Sequence, residues 1–305
     1  MPVVMRCSQA LWEARCLLRD LAGLLFGLMS LAGMVLLSGC DATEESLATE
    51  WVLPERTTSA RSASELVQAW LELDLEEREE AAVAEILTGN VPSWLRELRQ
   101  ISFSVPETDG EWVEVRLGVL PDYVAVGSND DFLWLPLSPQ AAQRIADATD
   151  MSLPTHRLID TIWQQAEVRV EPRPIPPSAA MTTLSVFVDH ARKLNAQRDS
   201  LGIQPGDWVA GHKKDVVLSG KLNGADGKVA IYGWHRSDGS PIQPVYTGHT
   251  DRWVDYSHGV RLVTRSVRID KRQADLASLL KDLRQSRWFD DDGPMDRTEY
   301  LIPTG

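Results

Sequence analysis

The chain has 305 residues and a formal net charge of −13, with 43% hydrophobic and 25% charged residues, 20 Gly and 17 Pro. These proportions fit a folded globular protein of one or two domains and exclude disordered, collagen-like and coiled-coil chains. The acidic balance excludes a general nucleic-acid binder, which needs a basic face to release phosphate counterions. Three cysteines are too few for a disulfide framework.

The first 20 residues carry Arg6, Arg15 and Arg19 against Glu13 and Asp20, and residues 21–39 carry no charge. That run ends in Leu37-Ser38-Gly39-Cys40. A basic segment, an apolar segment and small residues before a cut site are the parts of a secretory signal. The Leu-Ser-Gly-Cys ending resembles the lipobox of bacterial lipoproteins. The resemblance implies removal of residues 1–39, diacylglycerol on the Cys40 sulfur and acylation of the new amino terminus. It also implies a mature protein in the bacterial cell envelope, lipid-anchored to a membrane and outside the cytoplasm. The competing expectation is an uncleaved anchor, since nineteen apolar residues would span about 28 Å at 1.5 Å per residue. Cleavage takes away three positive and two negative charges together with Cys7 and Cys16, leaving a net charge of −14. With Cys40 acylated no free thiol remains, which excludes a catalytic cysteine and cysteine-based zinc sites. Asp41 resembles the inner-membrane retention residue of enteric-type lipoproteins.

Residues 40–62 read as a polar tether. A helix is expected through residues 65–89, capped by Ser62 or Ser64, with Leu66, Val67, Trp70, Leu71 and Leu73 at helical spacing. A short helix follows Pro92. Alternating stretches at 101–105, 112–120, 123–127 and 132–137, separated by turn residues, predict a small antiparallel sheet. Ser138-Pro139 and Pro154-Thr155 start two further helices. Four prolines within residues 171–177 mark a stiff connector, set at 171–180, between an α+β recognition or support module at 63–170 and an α+β domain at 181–305. A long strap inside one domain would read the same way. The second half opens with a helix over 183–202, stopped by Gly202. Strands follow at 208–211, 215–219, 228–235, 241–248, 252–257 and 260–269, and a helix over 272–286. The fold class is α+β, antiparallel strands with flanking helices, in two expected subdomains.

Four of the six histidines, His212, His235, His249 and His258, fall within 47 residues. They share that stretch with Lys213, Lys214, Asp215, Trp234, Asp255, Tyr256 and Arg261. No other stretch concentrates as many chemistry-capable residues. Two readings of this site follow. In the first, His212, His258 and His249 ligate zinc, with Asp215 as an alternative third ligand and Asp255 as the base for metal-bound water. In the second, metal-free acid–base chemistry runs through His212, Asp215, Asp255 and His258. Lys213, Lys214 and Arg261 then hold an anionic group, and Trp234 and Tyr256 offer a platform for a sugar ring. The order His249, Asp255, His258 departs in spacing from the D-Ala-D-Ala metallopeptidase pattern, and no His-Glu-x-x-His occurs. Ser219 stands where the phospholipase-D pattern requires Asp, and no Gly-x-Ser-x-Gly elbow is present. The expected function is a membrane-tethered hydrolase acting on peptidoglycan or another envelope polymer. The alternative is a non-catalytic envelope lipoprotein that binds a glycan polymer or scaffolds an assembly.

Overall fold

A computed structural model of the chain describes residues 47–107 and 110–302. The signal segment 1–39 and the acylation site Cys40 lie outside the described residues. The run read as a tether joins the fold well before Ser62. Thr49 O accepts the Leu98 amide at 2.9 Å, Gln100 Nε2 donates to Ala48 O at 3.0 Å, and the Trp51 side chain is buried. Arg56 Nε donates to Asn90 Oδ1 at 2.8 Å. Residues 48–62 of the expected tether are therefore part of the fold, with Trp51 buried in the core.

Helix α1 (Ala63–Trp70) is capped by Ser62 and α2 (Leu75–Leu87) by Asp74, each in a reciprocal capping box, with Glu65 and Glu77. The single helix expected over 65–89 is thus two, since Asp74 with Glu77 satisfies the orphan amides of a new helix start. Strands β1 (Arg99–Pro106) and β2 (Trp112–Val119) form a hairpin. Its register puts Ile101 opposite Leu117 and Phe103 opposite Val115 on the core face, and Ser102 opposite Arg116 and Ser104 opposite Glu114 on the other. A small hairpin of β3 (Ala125–Gly127) and β4 (Phe132–Trp134) leads into α3 (Pro139–Ala148), capped by Ser138. Next come β5 (Met151–Ser152), α4 (His156–Gln165) with Thr155 as its cap, and β6 (Val168–Arg169). After the proline run, α5 (Leu184–Leu201) ends on Gly202 at φ +70°, a left-handed cap that glycine takes without strain. The remaining elements are β7 (Val209–Ala210), β8 (Lys214–Val217), β9 (Ala230–His235), β10 (Pro241–Tyr246) and β11 (His258–Gly259). They continue with β12 (Val263–Thr264), β13 (Ser266–Ile269), β14 (Arg272–Asp275) and α6 (Leu276–Lys281).

The first sheet runs β14-β13-β2-β12-β5 with β1 on the flank of β2, and the second runs β10-β9-β8-β11. Most pairings are antiparallel, and β6–β7 and β8–β11 are parallel. The class is α+β, as the sequence predicts. The division at 171–180 is corrected. β12 pairs with β2 and β5, so one sheet joins strands from both sides of the proline run. One hydrophobic core likewise extends from Trp51 to Tyr300. The proline run is a strap on this unit. Glu171 O accepts from Gln197 Nε2 at 3.1 Å, and Ile175 donates its amide to the Tyr256 hydroxyl at 2.9 Å.

Two other expectations are overturned by local hydrogen bonding. Residues 252–257 form an irregular loop with turns at its ends, not a strand, because Asp255 Oδ1 captures the Ser257 amide at 2.8 Å and its hydroxyl at 2.5 Å. The helix expected from 272 begins only at 276. Residues 272–275 pair with β13, and Asp275 Oδ1 then caps the Ser278 amide at 2.8 Å.

Candidate functional site

Strand β8 carries the site. It lies antiparallel to β9, with Lys214 opposite Gly233 and Asp215 opposite Tyr232, and parallel to β11, with Lys214 beside His258 and Asp215 beside Gly259. Glycine is required at 259 because a Cβ there would stand 2.5 Å from Tyr123 Cδ1 and 2.7 Å from Lys213 Cβ. Tyr123 fills that space, and its hydroxyl donates to Asp215 Oδ2 at 3.0 Å.

The residues picked from sequence are brought into one region but not to one point. His258 is fully enclosed and neither ring nitrogen has a hydrogen-bond partner. Burial, reinforced by Lys214 and His249 and opposed by Asp255, lowers its pKa to about 4, so the ring is neutral at pH 7. Burial alone would raise the Asp255 carboxyl. The His258 ring, the two Ser257 donors and Lys214 outweigh it and hold Asp255 below the usual carboxylate range. Asp255 Oδ2 also accepts the Trp253 indole N–H at 3.2 Å. The Trp253 ring stacks on His249 at 4.9 Å and 11°, and His249 meets Tyr246 edge-on at 5.2 Å. Trp253 is 37% and Tyr246 43% exposed, so this row of rings runs from the buried Asp255 carboxylate out to the surface.

His212 sits apart from that group. It is walled by the Tyr123 ring at 4.9 Å and the Trp134 ring at 5.6 Å, and its Nε2 lies 3.6 Å from Asp122 Oδ1. Both of its nitrogens lack a hydrogen-bond partner. Burial first, then the charges of Arg198, Lys213 and Arg261, push its pKa well below the ordinary histidine value. Asp122 itself is buried, accepting from Arg198 Nη1 at 2.8 Å and from the Tyr123 amide at 2.8 Å. Asp215 faces Tyr123 and His235, with its Oδ2 and the His235 ring both within 3.6 Å of where a Gly233 Cβ would stand. Burial raises its pKa to about 7 against the pull of Arg261 and the Tyr123 hydroxyl, and its Oδ1 has no partner.

The zinc reading of His212, His258 and His249 is corrected. Among the described residues no three His, Cys, Asp or Glu side chains are grouped to hold a metal ion. His212 is boxed in by Tyr123, Trp134 and Asp122, while His249 lies flat on Trp253. The anion-holding roles are corrected too. Arg261 donates to Leu120 O at 2.8 Å and Val209 O at 2.7 Å, and Lys213 Nζ donates to Tyr256 O at 2.6 Å. Their charges are spent on buried carbonyls. Lys213 also reaches His190 Nδ1 at 3.3 Å, and burial brings its pKa down to about 7. Lys214 sits over the Trp234 ring at 4.5 Å. Trp234 and Tyr256 are buried and form no platform. Trp234 bonds to His212 O at 3.2 Å, and the exposed rings of this stretch are instead Tyr246 and Trp253, with His249 between them.

Sequence reasoning missed Asp122, Arg198 and His190. Pro121-Asp122 reads as a turn, and a lone basic or imidazole group on a helix gives no sign of the strand it will face. His235 does have a partner, Asp160 Oδ1 at 2.9 Å, shared with the Tyr232 hydroxyl. The acidic run at 290–292 is structural. Asp290 is buried and accepts the Gly220 amide at 2.5 Å, and Asp291 pairs with His156 at 2.9 Å. A separate cleft of about 700 Å³ lies between the first turns of α2 and α3 and Arg252, and is not lined by the histidines.

No family model, curated protein sequence or solved structure matches the chain. Among the described residues no helix is long and apolar enough to cross a membrane.

Proposed function

We propose that the chain is a lipid-anchored envelope protein that hydrolyses an envelope polymer by metal-free acid–base chemistry at His258 and Asp255. The observation that carries this reading is the neutral, unpartnered His258 imidazole within electrostatic reach of the ionised Asp255 carboxylate, which accepts from Trp253 at the inner end of the exposed Tyr246–His249–Trp253 row. A buried polar group without a partner costs about 1–3 kcal/mol. The two nitrogens of His212, the two of His258 and Asp215 Oδ1 are all in that state. A fold that needed only packing would fill those positions with apolar side chains.

In the reaction a ring of the polymer stacks on Trp253 and displaces its indole from Asp255, which opens the way to His258. Neutral His258 takes a proton from water as the hydroxyl adds to the electrophilic carbon. Asp255 stabilises the imidazolium, and the same proton passes to the leaving atom as the bond breaks. No metal and no soluble energy source is consumed, which suits a compartment without ATP.

A second reading, binding of a glycan polymer without cleavage, draws on the exposed aromatic row alone. Purified peptidoglycan sacculi separate the two. Under the catalytic reading the protein sediments with sacculi and releases soluble fragments. His258→Ala still sediments but releases none, and Trp253→Ala loses both. Sedimentation without release, in wild type, leaves the binding reading. Neither property in a folded protein contradicts both.

A further inference from the structure

Over β1, β2, β13 and β14 the first sheet has one face on the core and one face largely exposed, while at β12 and β5 both faces are buried. The register sets Gln100, Ser102, Ser104, Trp112, Glu114 and Arg116 on the open face of the β1–β2 hairpin. Arg268 of β13 lies opposite Arg116 and extends that face, with Gln273 and Asp275 of β14 beyond it. The described chain enters across this same face. Ala48 O lies 3.3 Å from where a Gly118 Cβ would stand, opposite Gln100, and Gln100 Nε2 donates to it at 3.0 Å. Leu47 and Thr49 line a shallow cleft with Gln100, Ser102, Glu114, Arg116 and Arg268.

We propose that the open face of this sheet, from Ala48 to Trp112, rests on the lipid surface that holds Cys40. The inference rests on the lipoprotein reading of Cys40. From Cys40 to Ala48 is eight residues. Fully extended they reach no more than about 28 Å. A folded unit of this size is about 45 Å across. A tether that short, leaving from this face, keeps the face against the bilayer. The expected 23-residue tether of residues 40–62 would have let the unit turn freely. Charge agrees with this orientation. The mature chain is strongly acidic, yet on this face Arg116 and Arg268 balance Glu114 and Asp275, so it meets anionic headgroups with little repulsion. Trp112 is 68% exposed at the hairpin end, and a headgroup layer suits an indole better than water or hydrocarbon does.

The test uses the full-length chain, processed in a bacterial host and reconstituted in vesicles containing anionic lipid and a headgroup-nitroxide lipid. The mature protein has no thiol besides Cys40, so Ser104→Cys and Ser237→Cys each take one fluorophore. Ser104 is exposed on the open face, and Ser237 is exposed on the β9–β10 turn of the second sheet. The nitroxide should quench the label at 104 by half or more and leave that at 237 unchanged. A lipidated, vesicle-bound protein with no quenching at 104, or equal quenching at both, overturns the orientation and leaves the anchor standing. A chain without lipid on Cys40 by mass spectrometry overturns the anchor reading and this inference with it.

Discussion

Replacing Asp122 by Ala should be among the most damaging single changes outside the hydrophobic core. Its carboxylate is fully buried, pairs with Arg198 at 2.8 Å and holds the Tyr123 amide at 2.8 Å. Arg198 is itself only 4% exposed and lies over the Trp134 ring at 5.1 Å, so no water replaces the lost partner. Stranding one member of a buried pair costs about 3–5 kcal/mol. The orphaned amide adds about 1 kcal/mol. For a unit of this size about 2–4 °C of melting temperature goes with each kcal/mol, so the midpoint should fall by roughly 8–24 °C. Urea unfolding should show the same loss as a lower midpoint at unchanged slope. The companion is Asp122→Leu with Arg198→Met, which removes both charges and should recover most of the loss. A loss under about 1 kcal/mol in Asp122→Ala, or a double variant no better than the single, would refute the account of this pair.

Asp215, with its pKa raised to about 7, keeps its proton in the folded chain over a range where the unfolded chain has lost it. The folded state then binds more protons, so this residue makes stability fall as pH rises from about 4 to 7, by up to about 1.4 kcal/mol per pH unit. The wild type minus Asp215→Asn difference in urea stability should follow that slope, and a flat difference would contradict it. His258, lowered to about 4, should show no imidazole titration between pH 5.5 and 8 by NMR, whereas an ordinary midpoint would place it in solvent. Gly259→Ala should cost about 1–3 kcal/mol, since its Cβ would stand 2.5 Å from Tyr123 and force β11 away from β8. A neutral result would show that the β8–β11 contact is loose.

What the sequence made legible were features written locally. Ser138-Pro139, Thr155 and Gly202 fixed helix ends, and the Ile101, Phe103 and Val105 alternation fixed a strand. The stretch 211–261 was legible as chemistry because rare residue types crowd there. Pairings between distant segments left no local mark. β12 finding β2 and β5 depends on contacts more than a hundred residues apart in the chain, and it turned the proline connector into a strap. The same limit hid Asp122 and Arg198, which meet across 76 residues, and it let Arg261 and Lys213 pass as anion binders when buried carbonyls occupy them. A capping side chain also defeats periodicity, as at Asp74 and Asp275.

The pH dependence of fragment release from sacculi tests the catalytic claim most directly. A neutral His258 as the base predicts release that rises through an acid limb near pH 4, set by the lowered pKa of His258, and stays level to neutral pH. His258→Ala should abolish release while leaving the urea midpoint within the range of other single substitutions. No release at any pH from folded protein, or an acid limb that survives in His258→Ala, would contradict the account.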